Sequence, residues 1–202
     1  MSSWFCEGLM NRLLDSNDAL AKEVLNHTIF YIVPNMNPDG TILGNLRMNA
    51  LGVDLNRQWR SPNPDHSPEV YYVKKKIQET GVDFFLDVHG DENTSYVYTI
   101  GHAKPSPRIY ALEKNFKKAY EQATPEFQSN YFADVLPEDT LINTASQVIG
   151  EDHNCLSLTL EMPFKDNAIQ PNPLHGWSPL RSQQLGAALL GCSPYTLFVY
   201  GK

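Results

Sequence analysis

The sequence predicts an α/β fold: a mixed, largely parallel sheet flanked by helices on both faces. Short β-branched and aromatic runs alternate with segments of helical spacing that are ten or more residues long, which is typical of crossover connections between parallel strands. The chain contains no internal repeat, low-complexity tract or linker. We therefore expect residues 1–202 to form a single domain.

The first predicted elements are a helix and a strand. Apolar residues recur at helical spacing from Trp4 to Leu14, and Ser2 or Ser3 can cap this helix. The run from His27 to Val33 is β-branched and aromatic and ends at Pro34, which predicts a buried strand. The tetrapeptide Asn37-Pro38-Asp39-Gly40 then indicates a turn.

The middle of the chain shows clear helix boundaries. Ser67-Pro68-Glu69 combines a cap residue, a first-turn proline and a first-turn acid, so it predicts a helix that runs to Glu79 and stops at Gly81. Strands are predicted over 82–88 and 96–100. The remaining predicted elements are helices over 107–122 and 140–149, a strand over 155–162, and a helix over 178–190 closed by Gly191.

Composition and charge exclude several classes of protein. The 16 basic and 23 acidic residues give a net charge of −7, which argues against nucleic acid or an anionic membrane surface as partner. No apolar run approaches the roughly 20 residues that a membrane span needs. Cys6, Cys155 and Cys192 are odd in number and widely spaced, so we expect free thiols and a cytoplasmic protein.

Polar residues stand at the ends of three predicted strands. Asn35 to Gly40 follow the first strand, His89 follows the strand over 82–88, and Glu161 lies near the end of the strand over 155–162. Chemistry in open α/β sheets is carried at the carboxyl ends of strands and in the loops that follow them. The sequence therefore predicts a site where these residues converge.

His89 and Glu161 are the candidates for metal and acid–base chemistry. A catalytic zinc takes three protein ligands, commonly His and Glu, and His89 suits this role, with Asp87 or Asp91 orienting its ring. A strand-end histidine can equally be a structural hydrogen-bonding group. Glu161 lies in an apolar strand, where a carboxylate is costly unless it is paired or used. It is either a general base or part of a buried salt bridge.

Arg47, Asn56 and Arg57 are the candidates for substrate binding. Guanidinium groups match carboxylates in a bidentate fashion, so Asn56 and Arg57 can hold a terminal carboxylate. A second arginine, Arg47, can stabilise an oxyanion. The alternative for each arginine is a solvated surface charge.

Taken together, the motifs resemble those of the M14 zinc carboxypeptidases, in particular the cytosolic-carboxypeptidase branch. NPDG is followed by GVDLNRQW, and DVHGDEN and TLEM stand downstream. The resemblance covers roughly Trp4 to Gly191. It implies hydrolysis of the C-terminal residue of a peptide or protein, with Zn²⁺ as cofactor.

The same resemblance assigns a role to each site residue. It implies His89 as a metal ligand and Glu161 as the general base. It implies Arg47 as the oxyanion-stabilising arginine, and Asn56 with Arg57 as the clamp for the terminal carboxylate.

The chain departs from the family pattern at its start. The family's HxxE zinc motif would fall just before residue 1, so we expect the C-terminal part of a longer domain that lacks the first strands and two zinc ligands. Such a sheet would expose an apolar edge and invite self-association. His66-Ser67-Pro68-Glu69 matches HxxE in letters, but Glu69 is explained as a helix first-turn charge. The family's mobile tyrosine has Tyr131 as its nearest candidate.

The sequence leaves alternatives open for the substrate preference and for the type of function. The stretch 119–164 contains no Lys or Arg, which weakens removal of glutamate and favours neutral or basic C-terminal residues. The acidic residues considered for this preference are Asp134, Glu138, Asp139, Glu151 and Asp152. One alternative is a non-catalytic domain that binds peptide C-terminal carboxylates through Arg47, Asn56 and Arg57. Another is a different zinc hydrolase that uses His66, Glu69 and His89.

Overall fold

The computed structural model describes residues 1–129 and 143–192. Its sheet consists of β1 (Phe84–Asp91), β2 (Tyr98–Ile100) and β3 (Leu156–Pro163) in the order β1-β3-β2. β1 runs parallel to β3, whereas β2 runs antiparallel to it. The predicted α/β fold with a mixed sheet is therefore confirmed, and the sheet in the described part is small.

Helices cover both faces of this sheet. Local chemistry accounts for many of their ends: Asp18, Ser106 and Ser178 accept a hydrogen bond from a first-turn backbone N–H of their helices. The helices are α1 (Ser2–Leu13), α2 (Ala19–His27), α3 (Pro38–Leu43), α4 (Pro68–Thr80), α5 (Pro107–Ala123), α6 (Ala145–His153) and α7 (Pro179–Ala188), with 3₁₀ turns at Leu55–Arg57 and Leu189–Cys192.

The described residues form two hydrophobic cores. Leu156, Leu158, Leu160 and Met162 are buried in the first core, which also takes residues from α1, α2, α5 and α7. The second core lies beneath α4 and α6, and Val70, Val148 and Ile149 belong to it. The odd-numbered residues of β3 (Ser157, Thr159, Glu161) point away from the first core, which makes this face of the strand polar.

The loop after β3 is held by a buried arginine. Arg181 donates to the carboxylate of Glu126 and, at 2.6 Å, to that of Asp166, and its guanidinium stacks over the Trp177 ring. Asn167 is fully buried and also donates to Glu126. Charge-assisted bonds of this kind are shorter and stronger than neutral ones, so they secure the segment that directly follows Glu161.

The predicted strand from His27 to Val33 is wrong. His27 is the last residue of α2, a helix that the sequence patterns did not predict. In the described part of the chain, residues 28–33 pair with no strand. Phe30 and Ile32 pack against the first core, but the intervening Ile29 is 79% exposed. β-propensity measures how well a side chain fits a pleated, half-buried surface, so it cannot make a strand where no ladder partner is present.

Other predictions needed smaller corrections. NPDG is the start of α3, capped by the Asn37 side chain and ended by Gly44 in the left-handed conformation, and is not an isolated turn. The helix predicted over 140–149 is observed as α6, while 140–142 lie outside the described residues. Gly191 belongs to the final 3₁₀ turn and does not close the helix. None of the helices in 1–129 and 143–192 is long and apolar enough to cross a membrane.

Candidate active site

The register of β1 and β3 places the two central candidates beside each other. His89 is the direct Cα partner of Glu161 across the parallel ladder, and Tyr98 of β2 is the partner of Glu161 on its other side. Residues opposite each other in a ladder point to the same face of the sheet. His89, Glu161 and Tyr98 therefore share one face. Of the residues expected to converge, the ladder brings together His89 and Glu161.

The His89 ring is oriented by an aspartate on its own strand. Its Nε2 atom lies 2.7 Å from Asp87 Oδ2, so Asp87 rather than Asp91 fills the orienting role. Asp91 instead accepts hydrogen bonds from the Tyr98 hydroxyl and the Asn93 backbone N–H. With Nε2 engaged by Asp87, Nδ1 is the nitrogen of His89 suited to a metal.

The charges around His89 favour its protonated form. Burial alone would lower the pKa of the imidazole, but the charge of Asp87 and its hydrogen bond, together with the charge of Glu161, raise the pKa to about 9. A metal would therefore have to displace a proton from this ring.

Glu161 has an environment suited to a general base. Its Oε2 atom is buried and has no hydrogen-bond partner in the described part of the chain. Burial raises the pKa of the carboxyl to about 7; the His89 charge lowers it, and Asp91 and Asp87 raise it further. A carboxyl that exchanges its proton near neutral pH is matched to proton transfer.

Asn56 reaches the same point from the first 3₁₀ turn. Its Oδ1 accepts a hydrogen bond of 2.8 Å from the backbone N–H of Ala145, the first residue of α6. Because the oxygen accepts this bond, the orientation of the Asn56 side-chain amide is fixed. Its Nδ2 group lies 3.5 Å from His89 Nε2. Asp54 caps the turn by accepting from the Asn56 backbone N–H.

The two candidate arginines lie at the exposed rim. Arg57 is adjacent to Asn56, and its Nη1 donates to the Asn56 carbonyl at 2.9 Å. Arg47 Nη1 is 3.8 Å from Asp54 Oδ2, and its charge lowers the pKa values of both His89 and Glu161. The site thus gathers His89, Glu161, Asn56 and Arg47, with Arg57 beside Asn56.

The described residues do not supply a complete metal site. Among 1–129 and 143–192, no group of three or more His, Cys, Asp or Glu side chains is arranged to hold a metal ion. Within these residues His66 and Glu69 form no such group with His89, so the alternative zinc hydrolase built on these three residues gains no support. His89 fits as one zinc ligand, but the described residues do not fit the full ligand set.

Two of the acids considered for substrate preference lie away from this point. Glu151 pairs with Arg60 at 2.7 Å, and Asp152 pairs with Lys74 at 3.0 Å. Both belong to the last turn of α6, about 9 Å along the helix axis from Ala145. Asp134, Glu138 and Asp139, as well as Tyr131, lie outside the described residues.

Some features of the site have weak signals in the sequence. Tyr98, and the buried hydroxyls of Ser146 and Thr159 that lie 2.8 Å apart beside the site, fall within ordinary strand and helix patterns, so nothing local distinguishes them. The bond from Ala145 to Asn56 joins residues 89 positions apart and depends on tertiary packing alone.

Comparisons with known proteins agree with this geometry. The zinc carboxypeptidase model of the peptidase M14 family matches residues 1–183. An uncharacterized protein of Zymomonas mobilis is 40% identical over 190 residues, covering 92% of this chain and 50% of that protein. Mouse cytosolic carboxypeptidase 6 is 29% identical over 172 residues, covering 81% of this chain and 31% of that protein.

Solved structures give the same result. A crystal structure of a putative carboxypeptidase A from Shewanella denitrificans has a TM-score of 0.93 and 44% identity, covering 99% of this chain and 54% of that one. A Pseudomonas aeruginosa metallo-carboxypeptidase in complex with (2-guanidinoethylmercapto)succinic acid has a TM-score of 0.89 and 40% identity, covering 94% and 52%. The chain spans about half the length of these structures and half or less of the two sequence relatives. The predicted resemblance is confirmed, and the chain belongs to the M14 zinc carboxypeptidase family.

Proposed function

We propose that this chain carries the general base and the substrate-binding residues of a zinc-dependent metallocarboxypeptidase that removes the C-terminal residue of peptides or proteins. One observation carries the proposal: Glu161, whose buried Oε2 has no hydrogen-bond partner among the described residues, lies in register beside His89, and the Asn56 amide reaches the same point. Membership of the M14 family supports this reaction class.

In this proposal Glu161 moves the protons. It accepts a proton from the attacking water and passes it to the leaving amine, for which a pKa of about 7 is suitable. Zinc, when bound, polarises the scissile carbonyl and acidifies the water. His89 contributes one ligand, and because the described residues hold no three-ligand group, we expect this chain alone to bind zinc weakly.

The remaining candidates bind and orient the substrate. Asn56 Nδ2 and the Arg57 guanidinium hold the terminal carboxylate, since the Asn56 oxygen is already engaged by Ala145. Arg47, close enough to influence both His89 and Glu161, stabilises the oxyanion on the scissile carbonyl.

We propose neutral or basic C-terminal residues as substrates and the cytoplasm as location. The Pseudomonas relative holds a molecule with a guanidino group and a succinic acid, which is compatible with a basic side chain beside a carboxylate. The cytosolic carboxypeptidases among the relatives support the location.

The second candidate function is a non-catalytic domain that binds peptide C-termini. It uses Arg47, Asn56 and Arg57 in the same way but needs no metal. The lack of a three-ligand group within the described residues is the observation that favours it.

Binding of a matched acid and amide tests the carboxylate clamp. We expect calorimetry to show that hippuryl-arginine binds at least about 10-fold more tightly than its C-terminal amide, because the amide lacks the charge that Asn56 and Arg57 recognise. Asn56→Ala and Arg57→Ala should remove this preference. Arg60→Ala is the matched control, because Arg60 pairs with Glu151 outside the site.

The outcome separates the two candidate functions. Turnover of hippuryl-arginine at saturating zinc, lost in Glu161→Gln, identifies the enzyme. Preference for the acid without turnover identifies the binding domain. Equal affinity for acid and amide contradicts both.

A further inference from the structure

A buried hydroxyl pair joins the helix and the strand that frame the candidate site. Ser146 Oγ and Thr159 Oγ1 lie 2.8 Å apart, and both side chains are buried. Ser146 is in the first turn of α6, and Thr159 is in β3. The bond therefore sets the position of the start of α6 over the polar face of β3.

Each member of the pair is next to a group of the candidate site. On the helix side, Ala145 precedes Ser146 and donates its backbone N–H to Asn56 Oδ1. On the strand side, Thr159 is two residues before Glu161 and on the same face of β3. Thr159 is also the ladder partner of Asp87, which holds the His89 ring.

Neighbouring hydroxyls on the same sheet are not paired in this way. Ser157 and Thr99 are also buried, yet in the described part of the chain their hydroxyl oxygens have no hydrogen-bond partner. Replacing both members of a buried hydrogen bond by apolar groups of the same shape can be nearly neutral for stability, so the double replacement separates a positioning role of the Ser146–Thr159 bond from a role in folding.

We propose that Ser146 and Thr159 are positioning residues, whose hydrogen bond holds the Asn56 amide at a set distance and angle from Glu161. Neither side chain touches the substrate; they act through Ala145 and through the β3 backbone. This inference rests on the proposed function, because Asn56 and Glu161 are its substrate-binding and base residues.

The test compares a paired with an unpaired hydroxyl. Ser146→Ala and Thr159→Val remove the bond, Thr159→Ser keeps a hydroxyl, and Ser157→Ala removes a buried hydroxyl that has no partner. For each variant of the 202-residue chain, NMR without ligand reports the Asn56 side-chain amide and the Ala145 backbone amide. Calorimetry then gives the affinity for hippuryl-arginine, and urea unfolding confirms that the variant is folded.

We expect Ser146→Ala and Thr159→Val to shift both amide signals and to weaken hippuryl-arginine binding about 3- to 10-fold. Thr159→Ser should restore both properties, and Ser157→Ala should match the parent chain. An unchanged Asn56 side-chain amide signal in the double variant Ser146→Ala/Thr159→Val overturns the inference, because the Ala145 signal also responds to any change at the adjacent residue 146. If the parent chain does not bind hippuryl-arginine, the proposed function fails, while the ligand-free NMR comparison still decides the positioning role.

Discussion

His89 and Glu161 show how two ordinary side chains acquire their chemistry from position. On an exposed protein surface, the pKa of a histidine is about 6.5 and that of a glutamate is about 4.3. Both pKa values lie higher here, for different reasons: burial raises that of Glu161, whereas the charges of Asp87 and Glu161 raise that of His89 against the effect of burial. Glu161 thereby exchanges its proton near neutral pH, whereas His89 holds its own.

These shifts predict how stability depends on pH. In the folded state the pKa of Glu161 is about 7 and that of His89 about 9, so each group holds its proton more tightly when folded. The resulting stabilisation is fully present below the unfolded pKa and is lost as pH rises through the folded pKa. We expect the free energy of unfolding, measured by urea with a chelator present, to fall between about pH 5 and 9.

Two substitutions separate the contributions. Glu161→Gln should flatten the part of the curve between about pH 5 and 7, and His89→Gln the part between about 6.5 and 9. If both variants lose stability with pH as steeply as the parent chain, the predicted coupling between folding and these protons is wrong.

At the scale of elements, the closest helix packing depends on two glycines. A Cβ atom at Gly8 of α1 would overlap the backbone of Gln183 in α7, and one at Gly186 of α7 would overlap the backbone of Phe5 in α1. The obstructing atoms are backbone, so the overlap cannot be relieved by a change of rotamer. The absence of side chains at these positions therefore lets the two helices approach.

We expect Gly8→Ala and Gly186→Ala each to lower the free energy of unfolding by about 1–3 kcal/mol, because overpacking forces the helices apart. Gln184→Ala, on the exposed side of α7, is the control and should stay within about 0.5 kcal/mol of the parent chain. Chemical denaturation of the three variants makes the comparison. Equal stability of Gly186→Ala and Gln184→Ala would show that α1 and α7 can separate without cost.

At the scale of the whole molecule, the described residues leave one edge of the sheet and one apolar stretch of the chain exposed. Within the described residues β1 has a ladder partner on one side only, and all eight of its residues are partly exposed. Ile29, Tyr31 and Val33 are exposed as well. An uncovered edge with apolar surroundings favours pairing with another chain.

We therefore expect the chain to self-associate, with a second copy covering β1 and residues 29–33. Light scattering after size exclusion, at concentrations from micromolar to millimolar, should show a mass that increases with concentration. Ile29→Lys should reduce this association, because a charge would be buried in the contact. Leu174→Lys is the matched control, since Leu174 is 85% exposed but lies in the loop after β3. A constant monomer mass would contradict the prediction.

Local sequence patterns were enough to predict many of the helices and strands of this protein and its family motifs. The helix boundaries at Ser67-Pro68-Glu69 and Gly81, the strands around His89 and Glu161 and the family motifs depend on neighbouring residues, so they can be recognised in the linear order. The run at 28–33 was misinterpreted because strand formation requires a partner from elsewhere in the chain, which no local pattern contains.

Only the tertiary structure decided how the candidate site is arranged. The orientation of Asn56 by Ala145 and the link between Ser146 and Thr159 each join groups of separate elements through packing. The choice of Asp87 over Asp91 lies within β1, but the sequence left both open and the geometry decides between them. The pKa values of His89 and Glu161 likewise follow from burial and from charges on neighbouring strands. Residue types thus specify which chemical groups are available. Distances across the sheet specify which of these groups interact, because electrostatic and hydrogen-bond energies depend on separation in space.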